Sequence, residues 1–497
     1  MSFFSTRGGS YVTASQAILR GLAEDGGLYV PAMFPQMPRE ILHEFPGMSY
    51  AQRASQVLRT YLEDFTVEEI DRAIAKAYAP EKFDDAAIAP LKRLNDNTWV
   101  LELFHGPTLA FKDMALQLLP HLTTLSARKN GEEREVSILV ATSGDTGKAA
   151  LEGFRDVPGT SCTVYYPDGG VSDVQRLQMV TTGGSNTHVI AVKGNFDDCQ
   201  TGVKQLFASK EFAEAMDRQG RVPSSANSIN FGRLVPQVVY YFSAYADMVG
   251  SGAVAPGETV NFVVPTGNFG NILAAYYARA MGLPVGRLIC ASNRNHVLTD
   301  FFGTGVYDTR RLFFKTTSPS MDILVSSNLE RLLFEAADRD GSLIDTWMRQ
   351  MKETGTYAIG EQRLDWLHDV FAAGYADDTQ TADEIRRTWE QERYLMDTHT
   401  AVAHHVLRRY REETGDTTPA VVVSTASPYK FAADVLAALK GSEFTRGRDA
   451  FACSELLEEL TGVAVPRQVK ALRELPVRHN AVCEKEAMGD AALAALR

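Results

Sequence analysis

The residues best suited to chemistry lie in HGPTLAFKDMALQLL, residues 105–119. Lys112 stands between Phe111 and Asp113, after a Gly-Pro turn. It opens an apolar stretch in which Phe111, Met114, Ala115, Leu116 and Leu118 leave little polar face. Burial disfavours the ammonium form and lowers a lysine pKa. The neutral amine that results attacks carbonyls, so Lys112 is a candidate Schiff-base lysine. Alone, the same pattern also describes a lysine snorkelling from a helix end. Two further segments tip the balance.

Both are glycine loops where a strand hands over to a helix. In the first, the β-rich run Ser137–Thr142 meets Ser143-Gly144-Asp145-Thr146-Gly147. In the second, Val260–Val264 leads into Gly267-Asn268-Phe269-Gly270-Asn271 and an apolar helix from Ile272. Such a junction turns several unpaired N–H groups and a positive helix end toward one point, which suits a phosphate or a carboxylate. Many α/β proteins carry one such loop and bind nothing there; two beside an unusual lysine carry more weight. Rival glycine motifs are excluded. A phosphate-loop NTPase would need glycine at Thr142 and serine or threonine at Ala149. No G-x-G-x-x-G, G-x-S-x-G or H-E-x-x-H is present.

Lys112 in F-K-D, the S-G-D-T-G loop and the T-G-N-F-G-N loop together resemble the threonine synthase family, pyridoxal-phosphate enzymes of fold type II in the tryptophan synthase beta-like superfamily. The resemblance runs along nearly the whole chain. It includes STRGG (5–9), GLAEDGGLYVP (21–31), SANSINFGRLVPQVVYYF (225–242), SPSMDILVSSNLERLLF (318–334), VSTASPYKF (423–431) and LLEELTGVAVP (456–466). It implies pyridoxal 5'-phosphate, held covalently by Lys112, with Gly267, Asn268, Phe269, Gly270 and Asn271 cradling its phosphate. Thr425 is implied as the partner of the pyridine nitrogen, which a neutral hydroxyl leaves unprotonated. Thr142, Ser143 and Thr146 are implied around the substrate carboxylate, with Asp145 near the cofactor hydroxyl. One position departs from the pattern. Many family members read T-A-H-P after the threonine, and here Ala426-Ser427-Pro428 places serine where the histidine stands.

The implied reaction converts O-phospho-L-homoserine and water to L-threonine and phosphate, with Lys112 moving protons at several steps. A dianionic substrate calls for cations beyond backbone amides. Arg233 in SINFGR is the first candidate, followed by Asn230 and Lys315. Ser318, Ser320 and Asp322 are placed along the same cleft. The same lysine and loops would equally serve a phospho-lyase releasing 2-oxobutyrate, ammonia and phosphate. A non-catalytic ligand-sensing homologue and a nucleotide-phosphate binder are further alternatives.

These residues need a frame, and the rhythm of the chain predicts one. Helix-period apolar positions in ASQAILRGLA, YAQRASQVLRTYLEDF and VEEIDRAIAKAYA predict a mainly helical N-terminal domain over 1–98. Beyond it, SILVAT, CTVYYP, HVIAV, NFVVP, RLICAS and AVVVST alternate with helices, which predicts two open α/β sheet domains with the cofactor in the cleft. A smaller domain over 135–255 is expected to be inserted into a larger one formed by 99–134 and 256–497, with GSGAVAPGE (250–258) as linker. Residues 342–415 read as largely helical, with a capping box at Thr381–Glu384 opening one helix.

The chain has 497 residues, 45% of them hydrophobic, a net charge of −12 and a pI near 5.4. A nucleic-acid surface is therefore not expected, and an anionic substrate must be drawn in by local positive potential. Five scattered cysteines without a CxxC pair predict a reducing compartment and no metal site, and His399, His404 and His405 do not have metal-ligand spacing. Without a signal pattern or a long apolar run, the protein is expected to be cytoplasmic, without membrane or nucleic-acid partners, and a monomer or homodimer.

Overall fold

The computed structural model describes residues 1–142 and 144–496. The N-terminal helices Ala14–Arg20, Tyr50–Tyr61 and Val67–Ala77 each start at a capping box: Thr13 with Gln16, Ser49 with Gln52, and Thr66 with Glu69. In each, the cap hydroxyl accepts an N–H that has no partner within the helix, and the later side chain bonds back to the cap. A three-stranded antiparallel sheet, ordered Gly8–Val12, Phe3–Ser5, Tyr29–Pro31, completes this otherwise helical unit.

The rest of the chain builds two open α/β sheets. The larger runs Phe371–Tyr375, Val285–Ser292, Val260–Pro265, Ala420–Ser424, Thr98–Glu102, Leu91–Asn95, parallel throughout except for the last pair. The smaller is all parallel, in the order Ala481–Glu484, Thr187–Lys193, Thr160–Pro167, Glu135–Ala141, Arg221–Ser224. Parallel strands covered on both faces read as continuous apolar runs. Accordingly, every residue of Thr160–Pro167, Val260–Pro265 and Ala420–Ser424 is buried. The six β-rich runs expected from the sequence all lie in these two sheets.

Three features differ from expectation. Within 342–415 lie two strands: Thr356–Ala358, paired antiparallel with Val306–Asp308 in a separate two-stranded sheet, and Phe371–Tyr375, an edge strand of the larger sheet. Its FAAGY sequence lacks the β-branched residues that mark a strand. The strand Ala481–Glu484 joins the smaller sheet, although 256–497 was expected with the larger; as a largely exposed edge it has no buried pattern to read. The helix expected to open at Thr381–Glu384 opens earlier, as Asp378–Glu392, with a capping box formed by Asp377 and Gln380.

The helix Phe231–Gly250 is central, with 17 of its 20 residues buried, consistent with a sequence apolar on every side. It packs against Tyr50–Tyr61, Lys112–Leu116 and Gly270–Ala280, and so links the helical unit to the larger sheet. Parallel strands put their carboxyl ends on one edge, where open α/β sheets bind ligands. The ends at Glu102, Ala141, Pro265, Ser292 and Ser424 lead into the segments that carry the candidate site residues. Among the described residues no helix is long and apolar enough to cross a membrane.

Candidate active site

The lysine segment is zipped to the end of the neighbouring strand. The Leu103 N–H donates to Ser424 O (3.0 Å), Phe111 N–H to Thr425 O (2.8 Å) and Ser427 N–H to Leu109 O (3.0 Å), while Ala110 bridges Ala426. Asp113 accepts the Thr108 N–H and hydroxyl, both at 2.8 Å, which closes the Gly-Pro turn behind the lysine. Lys112 then opens the short helix Lys112–Leu116 and is only 9% exposed. Its Nζ lies 3.5 Å from Ser320 Oγ and 3.8 Å from Asp145 Oδ2. Burial lowers the Lys112 pKa to about 8; Arg233 and Lys430 push it the same way, and Asp145 opposes them.

Asp145 is the hub of this cluster. Its Oδ1 receives Lys430 Nζ at 2.9 Å and Gln175 Nε2 at 3.2 Å, and its Oδ2 receives the Ser320 hydroxyl at 3.3 Å. Burial alone would raise its pKa, but Lys430 and Lys112 together hold it well below the usual carboxylate range. Lys430 is equally buried and also donates to Thr108 O at 2.9 Å, which ties the carboxylate to the lysine loop.

The first glycine loop is pinned by Thr142, whose Oγ1 accepts the N–H groups of Gly144 (3.0 Å) and Gly147 (2.9 Å). Gly144 has φ of 137°, which residues with a Cβ rarely adopt, and a Cβ there would fall 2.4 Å from the Gln175 amide carbon and displace that side chain. Thr146 is partly exposed beside it, and Ser143 lies outside the described residues.

In the second loop, Gly267 O accepts the Ser326 hydroxyl (2.7 Å), and Asn268 O accepts the N–H (3.0 Å) and Nδ2 (3.1 Å) of Asn328. In a trans peptide the N–H points opposite to the C=O. With both carbonyls tied to 326–328, the N–H groups of Asn268 and Phe269 turn the other way. Phe269 (φ 65°) then starts the helix Gly270–Ala280 with no side-chain cap, which leaves the first-turn amides for a ligand. Asn271 Oδ1 is held by the hydroxyls of Tyr240 (2.5 Å) and Tyr241 (2.7 Å), while its buried Nδ2 has no partner among the described residues.

Arg233 is buried and donates through one guanidinium nitrogen to Ala226 O (2.9 Å), while its Nε is unpartnered among the described residues. Burial depresses its pKa to about 10, and no carboxylate among the described residues compensates it. Pyridoxal phosphate would bring an aldehyde, a phosphate and a ring nitrogen. A buried amine of lowered pKa, an uncapped helix start with an orphaned amide donor, and Thr425 at a strand end fit these three groups. Arg233 would add charge for a second anion.

Not every expected residue joins this cluster. Asn230 uses its side chain to cap Phe231–Gly250, accepting the Gly232 N–H (2.8 Å) and donating to Ile18 O (3.0 Å). Lys315 is exposed in the segment leading to Ser318. Ser427, at the histidine position, accepts the Tyr429 N–H at 3.3 Å. Two residues of the cluster carried no signal of their own: Lys430 reads as an ordinary lysine after a proline, and His399 as a core histidine.

Three family models match the chain. One described as threonine synthase N terminus covers residues 2–78, one described as pyridoxal-phosphate dependent enzyme covers 86–426, and one described as threonine synthase, C-terminal, covers 400–488. Human threonine synthase-like 1 is 42% identical over 439 residues, which is 86% of this chain but 58% of the human protein's length. The threonine synthase of Pseudomonas aeruginosa is 42% identical over 433 residues, 87% of this chain and 89% of that protein. Among solved structures, pyridoxal-phosphate-bound threonine synthase from Brucella melitensis superposes with a TM-score of 0.88 at 38% identity, covering 100% of both chains. The yeast threonine synthase gives 0.88 at 32% identity, covering 100% of this chain and 98% of that one.

Proposed function

This chain belongs to the threonine synthase family of pyridoxal-phosphate-dependent enzymes, and on that premise we propose that it converts O-phospho-L-homoserine and water to L-threonine and phosphate. The observation that carries this reading is the buried Lys112, its amine tuned to about 8, beside a cationic, uncapped site that calls for two anions.

When bound, pyridoxal phosphate supplies an electron sink for charge developing at substrate Cα and Cβ. The protein's own residues do the rest. Burial lowers the Lys112 pKa toward neutrality, which suits a base that must also return its proton. Lys112 Nζ takes the Cα proton and then serves Cβ and Cγ, which lie within reach of one flexible side chain. Asp145, kept ionised by Lys430, holds the ammonium form between these transfers. The Gly267–Asn271 loop would hold the cofactor phosphate, and Thr425 would offer the ring nitrogen a neutral hydroxyl. Thr142 and Thr146 line the carboxylate side. Arg233 neutralises the departing phosphate, where a charge-assisted hydrogen bond is strongest. For Asn230 we propose an indirect part, fixing the helix start that presents Arg233; Lys315 would attract the dianion from the exposed rim.

The test is to follow phosphate and amino-acid products from O-phospho-L-homoserine with the cofactor-loaded protein and its Lys112→Ala variant. Threonine and phosphate in equal amounts from the wild type, and neither from the variant, are expected. Phosphate accompanied by 2-oxobutyrate and ammonia would instead identify a phospho-lyase.

A further inference from the structure

We infer that His399, buried beneath the active site, is a positioning residue that sets the geometry of Lys112 through Ser320. The inference rests on Lys112 being the reactive amine.

His399 is 2% exposed and follows Asp397, the cap of the helix Thr398–Thr414. Its Nε2 accepts the Ser320 main-chain N–H at 3.2 Å. A nitrogen that accepts carries no proton, so the ring is neutral with its proton on Nδ1. That proton is donated to Asp397 Oδ1 at 2.9 Å. Asp397 is fully buried and is itself held by the His399 N–H (2.8 Å) and the Thr400 N–H (3.3 Å). The ring is therefore fixed in tautomer and orientation by a rigid helix start, and the only group it presents to the cleft is a lone pair.

That lone pair holds the residue whose hydroxyl touches both Lys112 and Asp145. Ser320 Oγ is 3.5 Å from Lys112 Nζ and 3.3 Å from Asp145 Oδ2. Ser320 lies in the short turn Pro319–Met321, in which Met321 N–H donates to Ser318 O (3.0 Å) and Asp322 N–H to Pro319 O (3.2 Å), while the Ser320 N–H itself goes to His399. The turn also packs so closely on the second glycine loop that a Cβ on Gly267 would fall 2.6 Å from Ser320 O. A shift of this turn would move the Lys112 contact and the loop together. His399 thus couples the lysine side of the site to the phosphate side without touching either.

The experiment is a double-mutant cycle on the cofactor-loaded enzyme. His399→Leu removes the acceptor and should lower kcat about 10- to 100-fold, as misplacement of a reacting group does, while KM changes less than about threefold. His399→Gln keeps an acceptor near Nε2 and should recover most of that loss. Ser320→Ala keeps the N–H but removes the hydroxyl, and should by itself reproduce the loss. Combined with Ser320→Ala, His399→Leu should then add little. The rate at which cofactor-free protein captures pyridoxal 5'-phosphate should fall in step with kcat. Equal loss in the Leu and Gln variants, multiplying losses in the double variant, or an undiminished Ser320→Ala enzyme would each overturn the inference. The Ser320→Ala result does so even if His399→Leu fails to fold. A wild type without turnover would instead bring down the functional reading.

Discussion

Replacing Lys112 with methionine should abolish turnover and at the same time stabilise the cofactor-free protein. The lysine pKa drops from the ordinary 10.5 to about 8 in the fold. At 1.36 kcal/mol per pH unit, that gap is worth about 3 kcal/mol against the folded state. The sign follows from protonation. Below about pH 8 the amine is charged in both folded and unfolded chains, and the full cost of burying it is present. Between about 8 and 10.5 the unfolded chain binds the proton and the folded one does not, so wild-type stability rises with pH. Above that range this cost is gone. Methionine fills a similar volume without charge, and Asp145 keeps Lys430 at 2.9 Å, so no carboxylate is stranded. Urea unfolding of both cofactor-free proteins from about pH 7 to about pH 10 should show the variant ahead by about 1–3 kcal/mol at neutral pH, the lead shrinking as pH rises. A variant less stable than wild type, or a lead independent of pH, would refute the claim that Lys112 is a desolvated, function-bearing amine.

Gly267→Val would drive a side chain toward the Ser320 carbonyl oxygen, 2.6 Å from the Cβ position. Overpacking of about 1–3 kcal/mol should weaken pyridoxal 5'-phosphate binding on the order of 10-fold in equilibrium dialysis; unchanged affinity would place the phosphate elsewhere. Arg233→Met removes a buried cation that has no carboxylate partner among the described residues, so the fold should hold while KM for the phosphorylated substrate rises about 10- to 100-fold. A wild-type KM would make Arg233 purely structural. Lys430→Met removes the nearer of the two cations on Asp145 and leaves it Lys112 at 3.8 Å, so the cost in denaturation should reach at most about 3–5 kcal/mol; a loss under about 1 kcal/mol would mean the Lys430 pair does not hold the hub together.

What was legible in the sequence was whatever is written in local backbone chemistry. The two glycine loops were legible because each sits where a strand hands over to a helix; Gly144 takes positive φ, and Gly144, Gly147 and Gly267 also meet close neighbours, Gln175, Val164 and Ser320, that the fold brings in from far along the chain. Lys112 betrayed itself by apolar neighbours on its own segment. The parallel strands announced themselves through unbroken apolar runs, whereas Phe371–Tyr375 and Ala481–Glu484 are edges and have none. Lys430 and His399 were not legible as members of the cluster because nothing within several residues distinguishes them. Their roles come from Asp145 and Ser320, which are distant in sequence and brought near by the sheets. Asn230 illustrates the converse, since an asparagine before a helix is first of all a cap.

The central claim is that Lys112 and its surroundings add water to carbon rather than merely release phosphate. The direct measurement is turnover of O-phospho-L-homoserine by the cofactor-loaded protein in oxygen-18-labelled water, with mass analysis of both products. Threonine should carry one labelled oxygen at its β-hydroxyl and phosphate none at release, because the carbon–oxygen bond breaks before water enters. Labelled phosphate with homoserine, or 2-oxobutyrate in place of threonine, would contradict it.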